Sequence, residues 1–190
     1  MRIVICGVGA LGSTAAVACR NLDATLRLID FDRVESKNLL AQAFVKQSVG
    51  KNKAAALKLQ LQNFYGVKVE AFGVRLGDNN ADELLADGDL VVDCFDNAAS
   101  RQVISSFARK HDKACVHAAL SADGTYGMVR WDEDFTPDAE DSPGQPTCEG
   151  GEHLPFIGIV ATTLARTIQE FVTDGTKRSS MISLTGIQRA

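Results

Sequence analysis

Residues 2–13 read RIVICGVGALGS, an apolar run that ends at a glycine-rich turn. The run RIVIC predicts a short strand, and the small residues of 10–20 predict a helix after it. Between them, Gly7, Gly9 and Gly12 form the pattern G-x-G-x-x-G. Glycines at this spacing permit a tight turn and let backbone N–H groups and a helix N-terminus approach a nucleotide phosphate or ribose. Taken alone, this pattern is a weak indication of function.

Asp30 strengthens the nucleotide interpretation. A second predicted strand, TLRLI at 25–29, ends directly before it, about twenty residues after the glycines. A carboxylate in that position can accept hydrogen bonds from both ribose hydroxyls, although a simple loop cap is the alternative role. The two features indicate an adenine nucleotide. They do not separate ATP from NAD, because NAD-dependent enzymes use the same glycines and the same acid.

The rest of the chain alternates between strands and helices. Helices are predicted at 51–65, 80–86 and 98–111, and strands at 67–72 and 89–95. The first of these helices has only a partial apolar stripe, at Ala55, Leu59, Gln62 and Phe64. Strands at 114–120 and 125–131 are too close together for a parallel crossover, so they must pair antiparallel. A helix from Pro155 to about Thr173 and an edge strand or hairpin at 181–188 follow.

This order predicts a Rossmann-like α/β fold, a doubly wound and mainly parallel sheet with antiparallel C-terminal strands. We expect residues 1–190 to form a single nucleotide-binding domain with one long loop at about 132–155. Six acidic residues fall within 132–141, and all four prolines lie within 137–155. A loop of that length inside a compact domain usually has a function of its own.

Composition excludes several classes of protein. The chain is 45% hydrophobic and 23% charged, which is typical of a globular protein. Its net charge is −4 with scattered Lys and Arg, which argues against a nucleic-acid partner. The apolar run at the N-terminus is too short for a signal peptide or a membrane span, so we expect a cytoplasmic protein with no membrane partner. The five cysteines are odd in number and contain no C-x-x-C pair, which predicts free thiols.

The segment after Asp30 distinguishes between the nucleotides. Residues 30–39 read DFDRVESKNL, with Gln42 close behind, and resemble the D-x-D-x-V-x-x-x-N-L-x-R-Q signature of the ThiF/MoeB/HesA family of adenylyltransferases. Gly50 and Lys53 match the G-x-x-K of that family, and 93–101 matches its D-x-x-D-N-x-x-x-R. The resemblance runs from residue 3 to about 172 and favours ATP over NAD.

The resemblance implies a specific reaction. In that family the domain binds ATP and Mg²⁺, and the C-terminal glycine carboxylate of a carrier protein attacks the α-phosphate to give an acyl-adenylate and pyrophosphate. The expected partner is therefore a small ubiquitin-like or sulfur-carrier protein that ends in Gly-Gly. Family members are usually homo- or heterodimers, so we expect a dimer. No structural zinc is expected, because the two C-x-x-C pairs of the family are absent.

The resemblance also assigns residues. The nucleotide-binding set is Gly7, Gly9, Gly12, Asp30, Asp32, Asn38 and Lys53, and the catalytic set is Lys53, Asp96, Arg101 and Cys148. Asp96 is the expected metal ligand, because a carboxylate and a triphosphate repel each other unless cations and a hard metal bring them together. Lys51 competes with Lys53 for the phosphate role. Asn38 has a local turn role as its alternative.

Four further positions have alternatives of their own. Arg101 is expected to hold Asp96 or the carrier tail, unless it is simply solvated. Asn97 is expected to cap the helix that starts near 98. Cys148 lies in TCEGG, 147–151, which resembles the T-C-x-x-G segment where the family carries a thioester- or persulfide-forming cysteine; a free loop thiol is the alternative. His117, on a predicted strand, is expected to be a core histidine with its hydrogen bonds satisfied.

One position departs from the family. Ala41 stands where the family has an arginine that contacts the triphosphate. Lys37, Lys46 and Lys51 are candidates for the missing charge. An impaired homologue that binds a nucleotide or a carrier as a partner subunit is therefore the main alternative function, followed by an NAD-dependent enzyme.

Overall fold

A computed structural model describes residues 1–137 and 152–189. Its strands are β1 (Arg2–Cys6), β2 (Thr25–Ile29), β3 (Val69–Phe72), β4 (Leu90–Asp93), β5 (Cys115–Leu120), β6 (Tyr126–Trp131), β7 (Ser180–Ser183) and β8 (Gly186–Arg189). They form one eight-stranded sheet in the order β3-β2-β1-β4-β5-β6-β7-β8. Pairing is parallel from β3 to β5 and antiparallel from β5 to β8. The predicted fold class is confirmed, and the last predicted element is a hairpin.

Helices cover both faces of the sheet. They are α1 (Ala10–Ala18), α2 (Lys53–Tyr65), α3 (Ala81–Leu85), α4 (Ala98–Lys110) and α5 (Leu154–Asp174). One core cluster joins residues of α1, α2 and α5 to Ile3 and Ile5 of β1, while the other joins α3 and α4 to Val4 and Cys6. Side chains alternate between the two faces of a strand, and alternate residues of β1 belong to different clusters, so β1 is buried on both faces. This is the doubly wound arrangement.

The longest helix, α5, supports the antiparallel part of the sheet. Pro155 lies in its first turn, where a missing N–H costs nothing, and Ile157, Val160 and Leu164 are fully buried against α1, β5 and β6. The predicted helix from Pro155 to about Thr173 is confirmed. No helix within residues 1–137 and 152–189 has the length and apolar character needed to cross a membrane.

Two details of the elements differ from the prediction. The partial stripe of α2 was wrong: Leu59 and Phe64 are exposed, and the helix buries Ala54, Leu57 and Leu61 instead. The strand predicted at 89–95 ends at Asp93, whose carboxylate accepts the N–H of Phe95 and turns the chain out of the sheet. The predicted loop opens with a 3₁₀ turn, Asp132–Asp134, and its residues 138–151 lie outside the described part of the chain.

Candidate active site

The proposed site residues follow three neighbouring strands at the same edge of the sheet. Cys6, the last residue of β1, is in register with Ile29 of β2 on one side and Asp93 of β4 on the other. Gly7, Asp30 and Cys94 come next, so the glycine turn lies between the ends of β2 and β4. The chain runs from β1 to β2 and β3 on one side and returns to β4 on the other. Such a reversal of strand order creates the crevice in which open α/β sheets bind ligands.

The three glycines of the turn have different roles. Gly7 has a φ of 85°, which favours glycine, and a Cβ there would lie 2.8 Å from the carbonyl carbon of Cys94. A Cβ on Gly12 would lie 2.0 Å from the carbonyl oxygen of Gly7. Both glycines are therefore required by packing. A Cβ on Gly9, by contrast, would meet no atom of residues 1–137 and 152–189 within 4 Å, so these residues leave this side of the turn open to a ligand.

Asp30 is aimed at the glycine turn. Its carboxylate accepts the N–H of Val8 at 2.7 Å with one oxygen and the N–H of Asp32 at 2.9 Å with the other. The residue is 4% exposed, and burial raises the pKa of its carboxyl while the two backbone hydrogen bonds lower it. A carboxylate has about four lone-pair sites, so the two backbone N–H groups leave room for two more donors. Two ribose hydroxyls fit that capacity.

Lys53 is the first residue of α2 and is only 8% exposed. Its Nζ lies 3.1 Å from Asp32 Oδ2, and its backbone N–H donates to the Asp32 carbonyl at 2.8 Å. Asn52 caps α2 and also donates to the carbonyls of Asp30 and Asp32. The segment after β2 is thereby tied to the start of α2. Lys51, the competing lysine, is exposed.

Sequence reasoning missed Asn52, although an asparagine directly before a helix is a recognisable N-cap signal. Asn38 is buried, and its Oδ1 accepts the N–H of Glu35 at 2.8 Å, which is the local role named as its alternative. Ala41 is 1% exposed and belongs to the core on the α1 side. Of the three replacement lysines, Lys37 pairs with Glu35, and Lys46 and Lys51 are exposed.

The turn after β4 carries Asp96, which is exposed at the same edge of the sheet. Asn97 accepts the N–H of Ser100 at 2.9 Å, so the predicted cap of α4 is confirmed. Arg101 does not hold Asp96 as expected. Its guanidinium is turned inward, where it pairs with Asp93 at 3.4 Å and donates to the Phe95 carbonyl. The inward direction follows from the fully buried carboxylate of Asp93, which requires a charged partner.

Cys148 lies outside the described residues, so its predicted role stays a prediction. The other four cysteines are free thiols, of which Cys94 is half-buried and the rest are buried. Burial raises the pKa of Cys19 to about 12 and that of Cys115 to about 11. These thiols are poor nucleophiles, because the thiolate is the reactive form.

His117 is buried as predicted, but its partners were not foreseen. One ring nitrogen lies 2.8 Å from Asp93 and the other 3.0 Å from Asp132, and Cys115 Sγ lies 3.5 Å away. Cys115, His117 and Asp132 thus bring three potential metal-ligand atoms within 4.8 Å of one another. Ser105 and Arg109 also donate to the Asp132 carboxylate, so hydrogen bonds already satisfy this cluster. We therefore keep the prediction of no structural zinc.

These features define a doubly wound α/β domain with a candidate nucleotide site, and comparison with known proteins gives the family. The ThiF family model matches residues 1–185, and the chain belongs to the ThiF family. It is 30% identical over 174 residues to the adenylyltransferase and sulfurtransferase UBA4 of Meyerozyma guilliermondii, a match that covers 86% of this chain and 41% of that protein.

Two further comparisons agree. The chain is 38% identical over 95 residues to a sulfur carrier protein adenylyltransferase of Thermus thermophilus, covering 49% of this chain and 35% of that protein. Its fold matches the crystal structure of E. coli MccB with ATP at a TM-score of 0.82 and 18% identity, over 100% of this chain and 63% of that one. The chain therefore spans about two fifths of the curated relatives with which it aligns over most of its length.

Proposed function

We propose that this chain adenylates the C-terminal glycine carboxylate of a small ubiquitin-like or sulfur-carrier protein at the expense of ATP. The observation that carries the proposal is the meeting of four features at one sheet edge: an open Gly9, a buried Asp30, a buried Lys53 and an exposed Asp96. Family membership supports it, as do relatives whose names include adenylyltransferase. Residues 1–190 are proposed to act as one adenylation domain.

Asp30, Gly9 and Lys53 are assigned to the nucleotide. Asp30 accepts the ribose hydroxyls with the lone pairs that Val8 and Asp32 leave open. The turn at Gly9 lets the phosphates approach the backbone at the N-terminus of α1, where the first N–H groups have no partner within the helix. Lys53 uses one of its three N–H donors on Asp32, which leaves two for phosphate oxygens.

Asp96 is assigned to the metal. Mg²⁺ prefers oxygen ligands and is usually held by only one or two carboxylates together with substrate phosphates. An exposed aspartate at the same sheet edge as the proposed nucleotide site can provide one of these carboxylates. When bound, the ion neutralises charge on the triphosphate. Arg101 is assigned a supporting role, since its donors are taken by Asp93 and by backbone carbonyls.

In the proposed reaction, a carboxylate oxygen of the carrier's last glycine forms a bond to the α-phosphorus, and the bond to the bridging oxygen of pyrophosphate breaks. The products are the acyl-adenylate and pyrophosphate. Transfer of the acyl group to Cys148 is a further proposed step, in which the thiolate sulfur displaces AMP from the carbonyl carbon. The proposed setting is a cytoplasmic homo- or heterodimer that does not bind nucleic acid.

A second candidate function has one observation in its favour. Because Ala41 is buried in the core, that position offers no cation to the triphosphate. A chain without this charge could bind ATP or a carrier as the partner subunit of a competent enzyme, which would supply the missing group in trans. The two functions differ in one measurable property: whether the chain catalyses adenylation by itself.

The test is carrier-dependent exchange of pyrophosphate into ATP, with two lysine variants as a matched pair. Lys53→Ala removes the buried lysine, and Lys51→Ala removes an exposed lysine two residues away. We expect Lys53→Ala to lower exchange about a hundredfold or more and Lys51→Ala to leave it near the wild-type rate. Equal effects of the two variants would contradict the assignment of Lys53. Measurable ATP binding without exchange by the wild-type chain would favour the partner-subunit function.

A further inference from the structure

A polar network, largely buried, extends from the end of β4 into the antiparallel half of the sheet. It contains carboxylates, guanidinium groups, a hydroxyl and one imidazole, from Asp93, Arg101, Ser105, Arg109, His117 and Asp132. None of these residues belongs to the nucleotide-binding set. The network nevertheless ends at the turn that carries Asp96, because Asp93 is the last residue of β4.

His117 is the centre of the network. It is fully buried in β5, in register with Asp93 of β4, so the two side chains are neighbours on the same face of the sheet. Its Nδ1 lies 2.8 Å from Asp93 Oδ2 and its Nε2 lies 3.0 Å from Asp132 Oδ1. The ring of Phe135 stacks on the imidazole with 4.0 Å between centroids. Two hydrogen bonds in the plane of the ring and one stacking contact on its face therefore hold the imidazole in place.

The charge of the imidazole suits this position. Burial lowers the pKa of His117, but the hydrogen bonds to Asp132 and Asp93 outweigh burial and raise the pKa to about 11. Both ring nitrogens therefore carry a proton at neutral pH, and each can donate to one carboxylate. Ser105 donates to the same Asp132 oxygen, Oδ1, at 2.6 Å, and Arg109 donates to the other oxygen, Oδ2, at 2.8 Å. Three side chains therefore hold the Asp132 carboxylate in place at this end of the network.

Asp93 connects His117 to the turn after β4, which carries Asp96. Its Oδ2 accepts from His117, and its Oδ1 accepts the N–H of Phe95 at 3.0 Å. Arg101 donates to the carbonyl of the same residue, Phe95, and to the carbonyl of Ala118 at 3.0 Å. The peptide groups directly before Asp96 are therefore held on their donor side by Asp93 and on their acceptor side by Arg101.

We propose that His117 is a positioning residue for Asp96: it fixes the Asp93 carboxylate, which holds the backbone of Phe95 and thereby presents Asp96 to the magnesium nucleotide. Only one part of this inference rests on the proposed function, namely that Asp96 binds the metal. The restraint that His117 places on residues 94–97 follows from the hydrogen bonds of this chain and has its own readout.

Two substitutions of His117 each remove one of its two hydrogen bonds and keep the other. In His117→Asn, the side-chain amide nitrogen takes the place of Nδ1 and can still donate to Asp93, while the bond to Asp132 is lost. In His117→Gln, the amide nitrogen reaches the place of Nε2 and can donate to Asp132, while the bond to Asp93 is lost. Both variants remove the buried positive charge, so a purely structural role predicts similar effects from the two.

The first readout is hydrogen exchange of the Phe95 amide, measured by NMR on the full chain without nucleotide. We expect exchange to be about fivefold faster or more in His117→Gln, because the Asp93 carboxylate then keeps only its longer contact, to Arg101 at 3.4 Å, and holds the Phe95 N–H less firmly. His117→Asn should stay near the wild-type rate. Equal exchange in the two variants, or no change in His117→Gln, would overturn the inference whether or not the chain uses ATP.

The second readout is the Mg²⁺ concentration that gives half-maximal pyrophosphate exchange. Loss of a partner that orients a metal ligand typically weakens metal binding about tenfold or more, which is the shift expected for His117→Gln. His117→Asn should show a much smaller shift. A wild-type chain with no ATP binding and no exchange would contradict the proposed function, and the amide exchange would still decide the role of His117.

Arg101→Lys covers the case in which His117→Gln fails to fold. A lysine keeps a positive charge beside Asp93 but cannot reach the carbonyls of Phe95 and Ala118 in the same geometry. We expect faster amide exchange at residues 94–97 and a higher Mg²⁺ requirement in this variant. A folded Arg101→Lys protein with wild-type values for both would overturn the inference.

Discussion

Replacement of Gly9 by alanine is expected to weaken nucleotide binding while leaving the fold intact. The backbone of Gly9 has a φ of −81° and a ψ of −146°, and the new Cβ would meet no atom of the described residues within 4 Å. Because the added methyl group has no clash to relieve, we expect the free energy of unfolding to change by only about 1 kcal/mol. The open space is where the proposed phosphates approach. A methyl group forced against a packed ligand costs about 1–3 kcal/mol, which corresponds to about fivefold to 150-fold weaker binding.

Gly12→Ala is the matched contrast. Its Cβ would lie 2.0 Å from the carbonyl oxygen of Gly7, a backbone atom that cannot move aside as a flexible side chain can. We expect a loss of about 3 kcal/mol or more in the free energy of unfolding, at the upper end of overpacking costs. Urea unfolding and calorimetric titration with MgATP measure both quantities for both variants. A Gly9→Ala protein that binds MgATP as tightly as the wild type would refute the assignment of the turn.

Three further predictions concern stability and metal content. Arg27→Met should lower the free energy of unfolding by about 2 kcal/mol in urea unfolding, because the buried guanidinium serves Glu70, Asp87 and the Leu84 carbonyl. Burial raises the pKa of the Asp132 carboxyl, but its hydrogen bonds outweigh burial and hold the pKa at about 2, below the value of about 4 in the unfolded chain. Above pH 4 the ionised carboxylate should therefore contribute about 2–3 kcal/mol to the free energy of unfolding. This contribution should be lost as the pH falls towards 2. Elemental analysis of the purified protein should find no stoichiometric zinc.

Each of these has an outcome that would contradict it. An Arg27→Met protein as stable as the wild type would show that the ion pairs contribute nothing net. If Asp132→Asn showed the same acid dependence as the wild type, another carboxylate would be responsible. One zinc ion per chain, lost in Cys115→Ala, would identify Cys115, His117 and Asp132 as a metal site.

The fold was predictable because each local signal pointed the same way. The strand, glycine turn and helix of residues 2–18 formed where periodicity placed them, and the four-residue gap between the predicted strands 114–120 and 125–131 forced antiparallel pairing. The buried face of α2 was not predictable from its stripe. Leu59 and Phe64 are exposed because the sheet meets the other side of the helix, and only the tertiary structure determines which side that is.

The candidate site was predictable only in part. Asp30 and Asp96 follow strands directly, so their positions at one edge depend on topology alone. The inward direction of Arg101 and the partners of His117 depend on residues far apart in sequence, such as Asp132, which the sequence placed in the long acidic loop. Its burial comes from the pairing of β5 with β6, which brings it beside His117. Spacing in one sequence contains no record of that contact.

The most direct test of the proposed activity uses ATP labelled at the α-phosphate. The chain is incubated with Mg²⁺ and with small carrier proteins that end in Gly-Gly, each paired with a form that lacks the last glycine. We predict transfer of the label to an intact carrier, none to its shortened form, and loss of transfer in Asp96→Ala. ATP binding without transfer of label to any carrier would contradict catalysis by this chain, and binding of NAD in place of ATP would contradict the nucleotide assignment itself.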